Sequence, residues 1–130
     1  MPRILLIEDD DAYQAMLRTS LEDRGHVVSV TNDGNEGINC FKSRKFDLVI
    51  TDILMPRKDG VETIMELRAI SPDVRIIVIS GGGHMIRAQN CVDLAHSLGI
   101  QSVLEKPFSV DDLQTCITAE MEKTAAKYIQ

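Results

Sequence analysis

The chain has 130 residues, with 14 basic and 20 acidic side chains and a formal net charge of −6. That length suits about one domain with a real hydrophobic core, and 44% hydrophobic with 26% charged residues is ordinary globular composition. The negative charge without a basic run disfavours direct nucleic-acid binding. No apolar run approaches the roughly 18 residues of a membrane span, and acids follow the N-terminus too soon for a signal peptide, so a cytoplasmic protein with no membrane association is expected.

The first element, RILLIE at 3–8, is a short bounded apolar run and reads as a buried strand. Residues 11–25, DAYQAMLRTSLEDRG, place Ala12, Met16, Leu17 and Leu21 near helical spacing, with Gly25 as the stop. HVVSVT at 26–31 is a second strand, and DGNEGINCFKSR a weaker helix because of its two glycines. FDLVITD at 46–52 is a third strand ending in an acid, MPRKDG a loop, and VETIMELRAI a helix stopped by Ser71 and Pro72. VRIIVIS at 74–80 is a fourth strand, followed by a glycine break and by MIRAQNCVDLAHSLG, a helix ending at Gly99. QSVLE at 101–105 is a short fifth strand, and VDDLQTCITAEMEKTAAKYI a long last helix. Met16, Met65 and Met121 sit at helical spacing and read as core fillers. The three cysteines (Cys40, Cys91, Cys116) are far apart and the histidines His26, His84 and His96 lack metal-ligand spacing, so all six read as structural or surface residues.

Strand and helix thus alternate five times, a (βα)5 α/β pattern. Continuous apolar strands with crossover helices imply a parallel sheet covered on both faces. Right-handed crossovers then gather all strand C-termini on one edge, where open sheets of this kind bind their ligands. The residues due at that edge are Glu8, Asp9 and Asp10 after strand one, Asp52 after strand three, Ser80 and Gly81 after strand four, and Lys106 and Pro107 after strand five.

Four adjacent acids at 8–11 are unexpected, since two carboxylates about 4 Å apart repel by roughly 4 kcal/mol at an effective dielectric near 20. Asp10 and Asp11 have a local use as cap and first-turn acids of the first helix. Glu8 and Asp9, with Asp52, suit a hard divalent cation. Asp52 then suits a phosphoryl acceptor, with Lys106 as a mobile positive charge and Ser80 as a small hydroxyl donor.

The pieces LIEDD, FDLVITDILMPRKDG, IIVISG and LEKPF, in that order and at the strand ends, resemble those of response-regulator receiver domains of bacterial two-component signalling, over residues 3 to about 122. The resemblance implies a doubly wound, flavodoxin-like sheet of order 2-1-3-4-5. It implies Asp52 as the phosphorylated residue, Ser80 as the switch hydroxyl, and Lys106 as the paired lysine, with a cis Lys106–Pro107 bond. It implies Mg²⁺, with Mn²⁺ as a substitute, held by Glu8, Asp9, Asp52 and the backbone carbonyl of Leu54. The implied partners are a sensor histidine kinase or histidine phosphotransfer protein upstream, and a downstream protein or a phosphorylation-dependent homodimer as output.

One departure concerns Val103, which stands where many receivers carry an aromatic ring three positions before the lysine; another is the extra length at GGGHM, a loop from which His84 could approach the phosphoryl group, although loop histidines are usually solvated. A single receiver domain over 1–130 without an output domain is expected, and a receiver excised from a larger DNA-binding or enzymatic regulator would look the same. An Asp-nucleophile phosphatase is the other class considered. It usually carries a second acid two residues after the nucleophile, where this chain has Leu54. The domain is therefore expected to catalyse only its own phosphorylation and dephosphorylation.

Overall fold

The computed structural model describes residues 2–53, 60–81 and 88–129, the side chains of 88–92 and 124–129 excepted. The elements run β1 (Arg3–Ile7), α1 (Asp11–Asp23), β2 (Val27–Thr31), α2 (Gly34–Ser43), β3 (Leu48–Asp52), α3 (Gly60–Ile70), β4 (Ile76–Ser80), α4 (Ala88–Ser97), β5 (Val103–Glu105) and α5 (Val110–Ile129). The strands form one sheet of order β2-β1-β3-β4-β5, and every neighbouring pair is parallel.

Strand periodicity divides the core into two layers. Ile4 and Leu6 of β1 point with Leu17, Leu21, Leu113 and Ile117 to the face covered by α1 and α5. Leu5 and Ile7 point with Ile38, Ile64, Leu67 and Ala95 to the face covered by α2, α3 and α4. β3 and β4 are buried along their whole length. That is why their sequences are continuous apolar runs rather than alternating ones.

The helix ends follow their local chemistry. Asp10 caps α1 by accepting the Tyr13 backbone N–H at 3.0 Å, and Asp33 caps α2 by accepting that of Glu36 at 2.9 Å. Gly25 and Gly99, just past α1 and α4, adopt φ of 91° and 80°, the left-handed conformation that ends a helix with least strain when the residue is glycine.

Two methionines depart from the sequence reading. Met16 and Met65 are 45% and 60% exposed. Each stands beside a buried neighbour, Leu17 and Ile64, and the 100° step per residue turns it off the sheet-facing stripe. Ala12 is exposed for the same reason. Met121 does pack against the core layer beneath α1 and α5.

Candidate functional site

β1 connects through α1 to β2 on one side of the sheet, while β3 lies on the other side of β1, so the chain reverses its winding direction between β1 and β3. The C-terminal ends of these two strands flank a crevice that no crossover fills. Ile7 pairs with Thr51, which sets Glu8 and Asp52 side by side one step later. Asp52 in turn pairs with Ile79, placing Ser80 one step further along β4. The Lys106 N–H donates to the Ser80 carbonyl at 2.9 Å, which brings the fifth strand's lysine into the same crevice.

The side chains converge as the topology requires. Lys106 Nζ lies 2.6 Å from Glu8 Oε1 and 3.2 Å from Asp52 Oδ2. Glu8 is fully buried, and its second oxygen accepts the Asp10 N–H at 3.2 Å. Burial pushes the Glu8 carboxyl up, against the Lys106 and Asp10 hydrogen bonds, and the neighbouring Asp52 charge pushes the same way as burial. Burial alone would lower Lys106, but the Glu8 hydrogen bond and the charges of Asp52 and Glu8 outweigh it and hold the ammonium above its usual range.

Asp9 is exposed, yet one carboxylate oxygen each from Glu8, Asp9 and Asp52 lie within 4.8 Å of one another. Among the described residues, three carboxylates less one ammonium leave two negative charges, which a divalent cation balances. Such a donor set of oxygens only suits a hard ion. The Ser80 hydroxyl is fully buried and has no hydrogen-bond partner among the described residues. Gly81 keeps the remaining space clear: a Cβ there would sit 3.7 Å from both Asp52 Oδ2 and Lys106 Nζ. The crevice therefore holds clustered carboxylates and a neutralising lysine, with an orphan hydroxyl donor at the end of the adjoining strand.

Of the site residues expected from sequence, Glu8, Asp9, Asp52, Ser80 and Lys106 meet at this edge, and the Lys106–Pro107 bond is cis. Leu54 and His84 lie outside the described residues. Asp10 and Asp11 serve α1 as its cap and first-turn acid. His26 is buried, its Nε2 2.7 Å from Gln114 Oε1, and Cys40 and Cys116 are free and half-buried.

Two residues of α1 escaped the sequence reading. The Gln14 side-chain amide donates to the Glu8 and Thr31 carbonyls at 3.0 and 3.1 Å, tying the ends of β1 and β2 to the helix. The Tyr13 ring lies 4.2 Å from Lys106 Nζ. The available signal was the cap at Asp10, which obliges the first turn of α1 to sit over the end of β1.

A family model described as the response regulator receiver domain matches residues 4–118. The response regulator MprA of Mycolicibacterium vanbaalenii is 32% identical over 94% of this chain and 51% of its own length. The transcriptional regulatory protein RprY of Bacteroides fragilis is 30% identical over 96% of this chain and 51% of its length. The chain thus spans about half the length of the curated relatives it matches. Among solved structures, a receiver domain protein from Clostridium thermocellum superposes with a TM-score of 0.87 at 26% identity, covering 97% of this chain and 98% of that one. The response regulator TrrA of Thermotoga maritima, solved with Mg²⁺ and BeF, gives a TM-score of 0.79 at 28% identity over 92% and 99% of the two chains. With the sheet order, the acid cluster and the lysine already in place, these matches settle the assignment: the chain belongs to the response regulator receiver domain family, the phospho-acceptor module of two-component signalling.

Proposed function

We propose that Asp52 is the phosphoryl acceptor of this receiver, taking its group from a sensor histidine kinase or a histidine phosphotransfer protein. The observation that carries this reading is the Lys106 ammonium, held between Glu8 and Asp52 at the edge where the buried Ser80 hydroxyl has no hydrogen-bond partner among the described residues. An Asp52 carboxylate oxygen attacks phosphorus, and the new O–P bond forms as the donor's P–N bond breaks. The electron pair of the broken bond leaves on the imidazole nitrogen. Lys106 shifts its charge toward the phosphoryl oxygens, and the Ser80 hydroxyl donates a hydrogen bond to them. Attack of water on phosphorus later releases phosphate and restores the carboxylate, so the domain catalyses only its own modification.

Glu8, Asp9 and Asp52 would hold Mg²⁺, and Mn²⁺ is an acceptable substitute for an all-oxygen set. When bound, the ion neutralises charge on the phosphoryl oxygens. The complex of TrrA with Mg²⁺ and BeF supports this choice of ion by similarity.

The output follows from the added charge of about −1.5 to −2, which alters the faces presented to a downstream protein or to a second copy. Family membership and the net charge of −6 support a cytoplasmic receiver that does not itself grip nucleic acid. The two-fold greater length of the curated relatives, one of them named a transcriptional regulatory protein, favours a second reading in which this is the receiver unit of a longer regulator.

Incubation with Mg²⁺ and acetyl phosphate should add one base-labile phosphate, read by intact mass. Asp52→Asn should take up none. Labelling that persists in Asp52→Asn would remove Asp52 from the assignment, and donor turnover far faster than phosphoprotein decay would indicate an enzyme instead.

A further inference from the structure

An aromatic ring from α1 reaches the lysine of the proposed phosphorylation site. Tyr13 enters the first turn of α1 with its backbone N–H on the Asp10 cap, and its ring lies 4.2 Å from Lys106 Nζ. Phe108, two residues past the lysine, meets the same ring edge-on at 5.8 Å with planes at 79°. The Tyr13 hydroxyl is buried and has no hydrogen-bond partner among the described residues. Val103, at the position where many receivers place their ring, packs against the opposite core layer, the one under α2, α3 and α4.

A cation over a ring face is attracted by the ring's quadrupole, more strongly as water is excluded. Lys106 is only 19% exposed, so this attraction acts on an ammonium already largely desolvated. Among the described residues the ammonium therefore has three neighbours: Glu8, Asp52 and the Tyr13 ring. When Asp52 carries a phosphoryl group the lysine has a stronger acceptor, and its position over the ring must change. The half-buried ring has the ammonium over its face and Phe108 against it edge-on, so that shift bears directly on it.

We propose that Tyr13 is a positioning residue for Lys106 and the aromatic group through which this receiver registers its phosphorylated state. The ring holds the ammonium toward Glu8 and Asp52 before transfer, and passes its displacement to Phe108 at the start of the β5–α5 connection. The switch signal thus enters the layer of α1 and α5, on the other face of the sheet from Val103. This role rests on the reading of Asp52 as the phosphoryl acceptor.

The chain has two tyrosines and no tryptophan, so Tyr128→Phe leaves Tyr13 as the sole source of tyrosine emission. In that background, emission is followed on addition of Mg²⁺ and then acetyl phosphate, with the phosphate taken up read by intact mass in the same samples. Emission should shift in step with labelling and return as the phosphate is lost. Tyr13→Leu, which keeps an apolar group in the core, should slow phosphorylation by about 3- to 10-fold, and Tyr13→Phe should restore most of the rate because it restores the ring face. A wild-type protein that takes up no phosphate overturns the reading of Asp52. A labelled protein whose emission does not change, or a folded Tyr13→Leu variant within about twofold of the wild-type rate, overturns the role of Tyr13 alone. Should Tyr13→Leu fail to fold by circular dichroism, the emission experiment and the Tyr13→Phe rate still decide.

Discussion

Gly81 leaves open the side of Asp52 that faces Lys106, and nothing at that position shields either group. A Cβ at 3.7 Å from Asp52 Oδ2 and from Lys106 Nζ would be in ordinary contact, but the methyl groups of valine would extend into the space a phosphoryl group needs. Gly81→Val should therefore leave the melting temperature nearly unchanged while slowing phosphorylation by about tenfold or more, because displacing reacting atoms by an ångström carries costs of that order. A labelling time course beside a thermal melt separates the two effects; an unaltered rate would mean the donor approaches from elsewhere. The residues that bear charge at this site were legible in sequence because they follow apolar runs directly, as Glu8 follows Ile7 and Asp52 follows Thr51. Gln14 and Tyr13 were not, because their roles depend on which way a turn faces, and neither composition nor spacing encodes that. The divided use of the acids at 8–11 was legible, since a helix must start within a few residues of a strand that ends in carboxylates and something must cap it.

At the scale of elements, α3 approaches the backbone of β3 closely beside the site. Gly60 opens α3 with its N–H donated to the Ile53 carbonyl at 2.9 Å. A Cβ on Gly60 would stand 2.5 Å from Ile53 Cα and 2.7 Å from the carbonyl oxygens of Asp52 and Ile53. These are backbone atoms with no flexible end to give way, so α3 would have to move off the sheet or the end of β3 would have to shift. Gly60→Ala should cost about 1–3 kcal/mol, the usual range for overpacking. It should also slow phosphorylation, since the clash reaches the backbone that aims Asp52. Chemical denaturation and the labelling rate should fall together; a loss of stability with an unchanged rate would show that the strain is taken up within α3. The sequence placed all ten elements in order, and two of the strand starts it missed share a cause. β3 and β4 begin at Leu48 and Ile76, two residues later than their apolar runs, because Phe46 and Val74 turn to pack against the core layer from outside the ladder. Hydropathy reports burial, and burial continues beyond the last paired residue.

Over the whole molecule, two separate core layers on one sheet fix the scaffold, while the acid cluster works against it. Ile4, Leu6, Ile50, Ile77 and Ile79 on one face, and Leu5, Ile7, Val49 and Val78 on the other, are almost fully excluded from water. Their burial must also hold Glu8, Asp9 and Asp52 together at the edge against mutual repulsion that Lys106 offsets only in part. Binding of a divalent cation should consequently stabilise the entire fold, not only the crevice. At a hundred times its dissociation constant, a ligand that binds only the folded state adds about 2.7 kcal/mol. For a domain of this size that corresponds to a rise in melting temperature of roughly 10 °C. Asp9→Asn removes one acid of the cluster at an exposed position. It should raise the melting temperature of the metal-free protein slightly, by relieving repulsion, and should lose most of the increment that Mg²⁺ gives the wild type. The two effects have opposite signs and the same origin, so a calorimetric titration of wild type and Asp9→Asn with Mg²⁺ isolates them. An increment equally large in Asp9→Asn would place the cation elsewhere on this acidic chain, and the charge at the strand ends would then have to be explained by Lys106 alone.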